Sequence, residues 1–159
     1  MSKISPFLWY DKEAEQAAHF YVSLLPDSRI DGVARLPVDT PSGPAESVAV
    51  VDFTLAGESY VAFNGGKMDS FNHAVSFLIK CDSQAEIDRL WDAHLKNGGQ
   101  EQQCGWLKDK WGLYWQVAPN VLFDMMRSPD RAASARAMQA MMKMIKLDIA
   151  ALERAFKDS

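Results

Sequence analysis

Histidine is scarce in this chain: His19, His73 and His94 are all it has, and they show no metal-ligand spacing. Cysteine is scarcer still. Cys81 and Cys104 form neither a CxxC pair nor a disulfide-rich pattern, which excludes a stapled secreted scaffold and suits free thiols in a reducing compartment. No apolar run approaches the roughly 18 residues that a membrane span needs, and Met1-Ser2-Lys3 leads on without an apolar signal core. A cytoplasmic protein with no membrane partner is therefore expected. Basic charge is not in excess either: a net charge of -4 opposes attraction to phosphate backbones, so nucleic acid is not an expected partner. Also missing is a glycine-rich strand-to-helix turn. The only double glycines are Gly65-Gly66 and Gly98-Gly99, and neither has the setting that cradles a nucleotide-like cofactor, so no cofactor is expected.

What is present reads as a folded α+β chain, since 48% hydrophobic and 24% charged residues exclude disordered and fibrous classes. Ile4 to Tyr10 is strand-like, and Asp11 is placed to cap a helix with Ala14, Ala17, Ala18, Tyr21, Leu24 and Leu25 on one side, stopped by Pro26. Strands over 28–36 and 48–55 follow, separated by a Pro-, Ser- and Gly-rich stretch that reads as a mobile loop, and then a strand over 60–64. The same order recurs from Ala74. A strand to Cys81 precedes a Ser83–Glu86 capping box, and the helix it opens shows Ile87, Leu90, Trp91 and Leu95 on one face. After Gly98-Gly99 come a short strand near 100–102 and a hairpin, Gln102 to Leu107 paired with Leu113 to Val117. Its turn relies on Asp109 bonding its own backbone and on Gly112 at positive φ.

Two strand-helix-strand-strand-strand modules, about 4–66 and 73–119, are thus expected to form a curved mixed sheet over 1–119. A helical C-terminal tail over 120–159 follows, with helices at 122–126, 129–146 and 149–156. Met138, Met141, Met142, Met144 and Ile145 cover too much of one tail helix for a single surface stripe. Part of that surface must be buried against the body or a second copy, and a two-fold homodimer is the expected assembly.

Candidate site residues come from the strand faces. Alternation sets Gln116 with Tyr114, Asn64 with Ala62 and Tyr60, and Ser76 with Ala74, opposite apolar neighbours such as Phe63, Phe77 and Trp115 that should face the helices. Asn64, Ser76 and Gln116 are then polar anchors for a small molecule, with Trp9, Trp106 and Tyr114 as aromatic walls. Asp52, on the polar side of strand 48–55, His73, at the mouth of a strand, and Cys104, in alternation with Gln102 and Trp106, are the groups that could do acid-base or nucleophilic work. Purely structural roles are open for each of them.

Two consecutive modules of this kind resemble the vicinal oxygen chelate superfamily, which includes glyoxalases, extradiol dioxygenases and bleomycin-resistance proteins. The runs PFLWYD, FYVSLLPDSRI, FNGG, AVSFLIKC, CGWLKDKWG, WQVAP and KMIKLDIAALERAF are similar, more narrowly, to the PhnB-like group, often labelled 3-demethylubiquinone-9 3-methyltransferase-like. The resemblance implies a small-molecule site in the concave face of the sheet, in a binding protein or in an enzyme. The group's label implies methyl transfer, for which no cofactor motif is seen. It also carries the metal-ligand places of the superfamily onto Pro6 or Phe7 (Leu8 if the register slips), Asn64, Ser76 and Gln116. A catalytic divalent site wants about three His or carboxylate ligands; these residues offer amides and a hydroxyl, so no metal is expected.

Overall fold

Alternating apolar residues build the same ladder twice. The computed structural model describes residues 2–158, and the chain divides into two compact units, Met1–Ser70 and Phe71–Ser159. In the first, β1 (Phe7–Tyr10), α1 (Ala14–Leu24), β2 (Arg29–Arg35), β3 (Val48–Leu55) and β4 (Glu58–Asn64) give a sheet of order β1-β4-β3-β2. β1 lies parallel to β4 and the other neighbours are antiparallel. Ala14, Ala17, Ala18, Tyr21 and Leu24 form the buried stripe of α1. Its alanines let the helix lie close to the sheet, while Tyr21 reaches Phe53, ring centroids 6.2 Å apart, and shares a 2.8 Å hydroxyl hydrogen bond with Tyr10. The stretch between β2 and β3 is more ordered than its composition suggests. Thr40 and Gly43 exchange backbone hydrogen bonds, and the Asp39 carboxylate accepts from the Ala45 amide.

The second unit repeats the ladder with β5 (Ser76–Cys81), α2 (Gln84–Lys96), β6 (Gln100–Glu101), β7 (Trp106–Lys108) and β8 (Tyr114–Pro119), in the order β5-β8-β7-β6. Ser83 caps α2 by accepting from the Glu86 amide, and Glu86 reaches back to the amide of Asp82. The buried stripe of α2 is Ile87, Leu90, Trp91 and His94, while the expected Leu95 is 38% exposed. Helical geometry explains the correction: a step of seven residues returns almost to the starting azimuth, so residue 94 lies over 87 and residue 95 does not. The His94 ring therefore packs against Trp115, centroids 5.2 Å apart. The expected two modules, an α+β fold, are thus observed, although β1 starts at Phe7 and residues 102–105 form a turn, not a strand.

The β7–β8 turn is held by a buried carboxylate. Asp109 Oδ1 accepts from the amides of Trp111 and Leu113, and Oδ2 accepts from the Trp115 indole at 3.0 Å, with Gly112 at φ 94° closing the loop. The tail belongs to this second unit. It comprises α3 (Asn120–Arg127), α4 (Arg131–Met141) and α5 (Ile149–Lys157), gathered around Ala118, Leu122, Met125, Ala137, Leu147 and Leu152. α4 is shorter than expected and turns its alanines inward; Ala133, Ser134 and Ala137 are buried while Met142 is 56% exposed. Asp130 and Asp148 cap α4 and α5. Among the described residues no helix is long and apolar enough to cross a membrane.

Burial pushes the His94 imidazole down to about 4, below its ordinary value, so the unfolded chain takes up the proton first. Stability from keeping this ring neutral is complete above about pH 6.5 and is lost as pH falls toward about 4. We expect the unfolding free energy from urea titration to drop by about 2 kcal/mol between roughly pH 7.5 and pH 5 through this residue. His94→Leu should flatten that part of the profile. Parallel pH profiles for the two proteins would refute the assignment.

Candidate functional site

The register of β8 between β5 and β7 sorts the side chains of the second unit onto two faces. Phe77 pairs with Trp115 and Ile79 with Val117, Leu107 pairs with Trp115, and the contact of Trp115 with His94 puts this set on the α2 side. Ser76 pairs with Tyr114, Lys108 with Tyr114, and Trp106 with Gln116 on the opposite face. There Gln116 Nε2 donates to Ser76 Oγ at 2.9 Å. His73 lies over Tyr114, ring centroids 3.8 Å apart and planes tilted by 33°, with the Trp106 ring 5.7 Å away. His73 Nε2 is 3.1 Å from Gln102 Oε1. When Nε2 carries the proton it donates to that carbonyl oxygen, and Nδ1 is left as the basic nitrogen. The structure thus brings His73, Ser76, Trp106, Tyr114 and Gln116 to one face. Gln102, which orients the imidazole, was not singled out from the sequence, because its partner lies 29 residues away.

In the first unit the face turned away from α1 carries Phe7, Trp9, Val61 and Phe63. Phe7 pairs with Val61 and Trp9 with Phe63, and the Trp9 ring meets Phe63 edge-on at 4.9 Å. Trp9 Nε1 donates to the carbonyl of Gly66. A Cβ on Gly65 would sit 2.3 Å from the Trp9 ring, so only glycine lets the indole lie there. Asp52 shares this face through its pairing with Val61 and lines a cavity of about 820 Å³ with Arg29, Ser5, Ser59 and Val61.

Asn64 is on the other side, contrary to expectation. Phe53 pairs with Tyr60 and Val51 with Ala62, and Phe53 touches α1, so Tyr60, Ala62 and Asn64 share the helix face. Asn64 Oδ1 accepts from the Ala14 amide at 2.8 Å and Nδ2 donates to the Val48 carbonyl. Asn64 therefore caps α1, the role expected of Asp11, while Glu13 at the helix start makes no side-chain cap. The Asn-Gly-Gly sequence was the available sign of a cap and turn.

Cys104 sits in a turn at φ 60°, which breaks the expected alternation with Gln102 and Trp106. Cys81 is fully buried, and burial, reinforced by Glu86 and Asp82, pushes its thiol up to about 12, far from the thiolate that reactivity requires. The family's metal positions do not fit a divalent cation. Phe7 is apolar, the Asn64 amide is committed to α1 and β3, and Ser76 and Gln116 bond each other. Among the described residues no group of three or more His, Cys, Asp or Glu side chains converges.

Comparison with known proteins gives a consistent picture. The model of the family described as 3-demethylubiquinone-9 3-methyltransferase matches residues 2–118. A PhnB protein from Bacillus cereus, named for the same methyltransferase, is similar with 28% identity and a TM-score of 0.66, covering 74% of this chain and 99% of its own. Protein PA1353 from Pseudomonas aeruginosa has 20% identity and a TM-score of 0.60 over 75% of this chain and 98% of its own. The fosfomycin resistance protein FosX from Listeria monocytogenes, solved with Mn(II) and sulfate, shares the fold at 13% identity and a TM-score of 0.51, over 80% of this chain and 98% of its own. No curated protein matches the sequence.

Removing the Asn64 amide should be felt by the fold. Asn64→Leu leaves the Ala14 amide and the Val48 carbonyl unpartnered and should lower the unfolding free energy by about 3 kcal/mol. Denaturant titration checks this, and a loss below about 0.5 kcal/mol, the range of ordinary surface substitutions, would show that the amide is not structural.

Proposed function

The chain belongs to the 3-demethylubiquinone-9 3-methyltransferase family, within the vicinal oxygen chelate superfamily, and from that membership and the face just described we propose that it binds a small organic molecule without a metal. One observation carries the reading: the hydrogen-bonded Gln116–Ser76 pair lies on the face that holds the Tyr114, His73 and Trp106 rings. The Ser76 hydroxyl hydrogen and the second Gln116 amide hydrogen can meet a ligand oxygen, while the rings take a planar or apolar body. Neutral donors of this kind orient a ligand without holding a cation. Trp9 and Phe63 supply a second aromatic surface in the first unit. Asp52 lines its cavity together with two further carboxylates, Asp31 and Glu58.

Catalysis on the bound molecule is a second reading, favoured by the hydrogen bond that orients His73, which in the Nε2-protonated tautomer leaves Nδ1 as a base. Asp52 and Cys104 are weaker candidates for such a step. The methyl transfer in the family's description ranks below both, because a nucleotide-like donor wants a glycine turn at a helix N-terminus. Gly65-Gly66 instead accommodates Trp9, and Gly98 follows the C-terminal end of α2.

The reading includes a two-fold homodimer in the cytoplasm. α3 and α5 flank a groove of about 550 Å³ whose wall includes Val121, Met125 and Phe156, with Asp124, Arg127, Glu153 and Lys157 around it. A patch carrying charges of both signs can be self-complementary under a two-fold axis placed so that the acid of one copy meets the base of the other.

Native mass spectrometry of protein purified from cells should give a mass near twice 17.8 kDa, plus a released organic molecule and no stoichiometric metal. A monomer at micromolar concentration would reject the dimer. One Zn, Mn, Fe or Ni per chain after dialysis would reject the neutral site.

For the released molecule, Gln116→Leu should weaken binding by about 1–3 kcal/mol, roughly 5- to 150-fold, with little change in melting temperature. Calorimetry and thermal unfolding of the same variant separate the cases: unchanged affinity with collapsed stability would make Gln116 a structural residue.

A further inference from the structure

The family model ends at residue 118, yet the segment after α4 reaches back to the wall of the proposed site. Gln84, on the first turn of α2, holds this segment at two points: its Nε2 donates to the Leu147 carbonyl at 3.0 Å and its Oε1 accepts from the Ile149 amide at 2.8 Å. Lys146 adds an exposed ion pair with Asp88. The other side of the segment grips the turn before β7. The Cys104 amide donates to Met144 O and the Gly105 amide to Ile145 O, both at 2.8 Å. Leu147, fully buried, packs where a side chain at 105 would be: a Cβ there would lie 2.9 Å from Leu147 Cδ1 and 2.9 Å from the Val117 carbonyl, at φ 82°.

Gly105 is thus held on both sides, because its own carbonyl accepts from the Val117 amide. Cys104 sits at φ 60°, a left-handed conformation that costs a non-glycine residue about 1 kcal/mol or more unless its surroundings fix it. The next residue is Trp106. Two residues before Cys104 is Gln102, whose amide donates to Trp106 O and whose side chain meets His73. We infer that the segment Met144–Leu147 is a strap that positions Trp106 and, through Gln102, His73, with Leu147 as its positioning residue. The inference rests on the binding reading for its functional meaning and adds a determinant of ligand shape drawn from beyond the residues that the family model matches.

The test needs no ligand. Leu147→Ala is compared with Leu152→Ala, since both side chains are fully buried in the same tail cluster but only Leu147 packs at position 105. Gln84→Ala releases the strap from α2 and leaves the tail cluster intact. In proton–nitrogen NMR spectra, the Trp106 indole and His73 imidazole signals should move by more than a linewidth in Leu147→Ala and Gln84→Ala, and stay within it in Leu152→Ala. Should Leu147→Ala fail to fold, Gln84→Ala against Leu152→Ala decides alone. Unmoved Trp106 and His73 signals in the strap variants, or equal movement in Leu152→Ala, would overturn the strap. Moved signals with unchanged affinity for the molecule released from the native protein would keep the strap and overturn the placement of that molecule on the His73–Trp106 face.

Discussion

The faces of the second unit depend on one buried carboxylate. Asp109 is 4% exposed, a burial that an anion tolerates only when N–H donors replace its water. It receives two from its own turn and one from the Trp115 indole. The first two shape the turn, and the third reaches into the strand that follows. Because the side-chain period of a strand is two, a slip of one residue would send Trp115 outward and Tyr114 and Gln116 into the α2 layer. The indole bond, together with the packing of Trp115 on Phe77 and His94, disfavours that slip. The pairing of Trp106 with Gln116 is a consequence, so the geometry of the proposed site follows from a residue that does not belong to it.

Where local chemistry decides, the sequence was readable. The turn at Asp109–Gly112, the Ser83 cap and the two repeats of strand-helix-strand-strand-strand involve neighbours in the chain, whose preferences act within a few residues. The division of side chains along β8 was readable too, because Trp115 and Val117 contrast with Gln116. β4 was not, since Tyr60, Ala62 and Asn64 on one side and Val61 and Phe63 on the other are apolar in nearly equal measure. Two-sided apolar strands carry no sign of which face a helix will cover. β3 did carry that sign in Asp52, and its pairing with β4 could have settled the neighbour: antiparallel partners share a face, so fixing Phe53 inward fixes Tyr60 inward.

The tail misleads for a related reason. Its methionines suggested a broad apolar surface, yet the helix stops at Met141 and buries alanines, which allow α3, α4 and α5 to approach closely. Ser134 donates to the Met125 carbonyl, and Arg136 satisfies the carbonyls of Ala155 and Phe156 at the end of α5. Polar groups therefore tie the three helices together, and the flexible methionines are left to fill edges. What the sequence could not display was the reach of the loop beyond them, where backbone carbonyls of residues 144, 145 and 147 serve as acceptors. Carbonyls are present at every residue and carry no signature of their own.

Two modules with one strand order put the ends of their last strands to different uses. In the first, the polar residue that closes β4 is drawn to the helix side, because the start of α1 has no capping side chain of its own and Asn64 meets that need. Its glycine neighbours then serve Trp9. In the second, Ser83 satisfies the start of α2 locally, and the residue that closes β8 opposite the end of β5 is Pro119, which has no polar side chain to supply; Gln116, three residues earlier, lies on the opposite face by register and bonds Ser76. Asn64 is thus spent on a cap, while the register of β8 leaves Gln116 on the face away from α2. That is why binding duty falls on the second unit in our reading, with neutral groups rather than the carboxylates and imidazoles that a metal would demand.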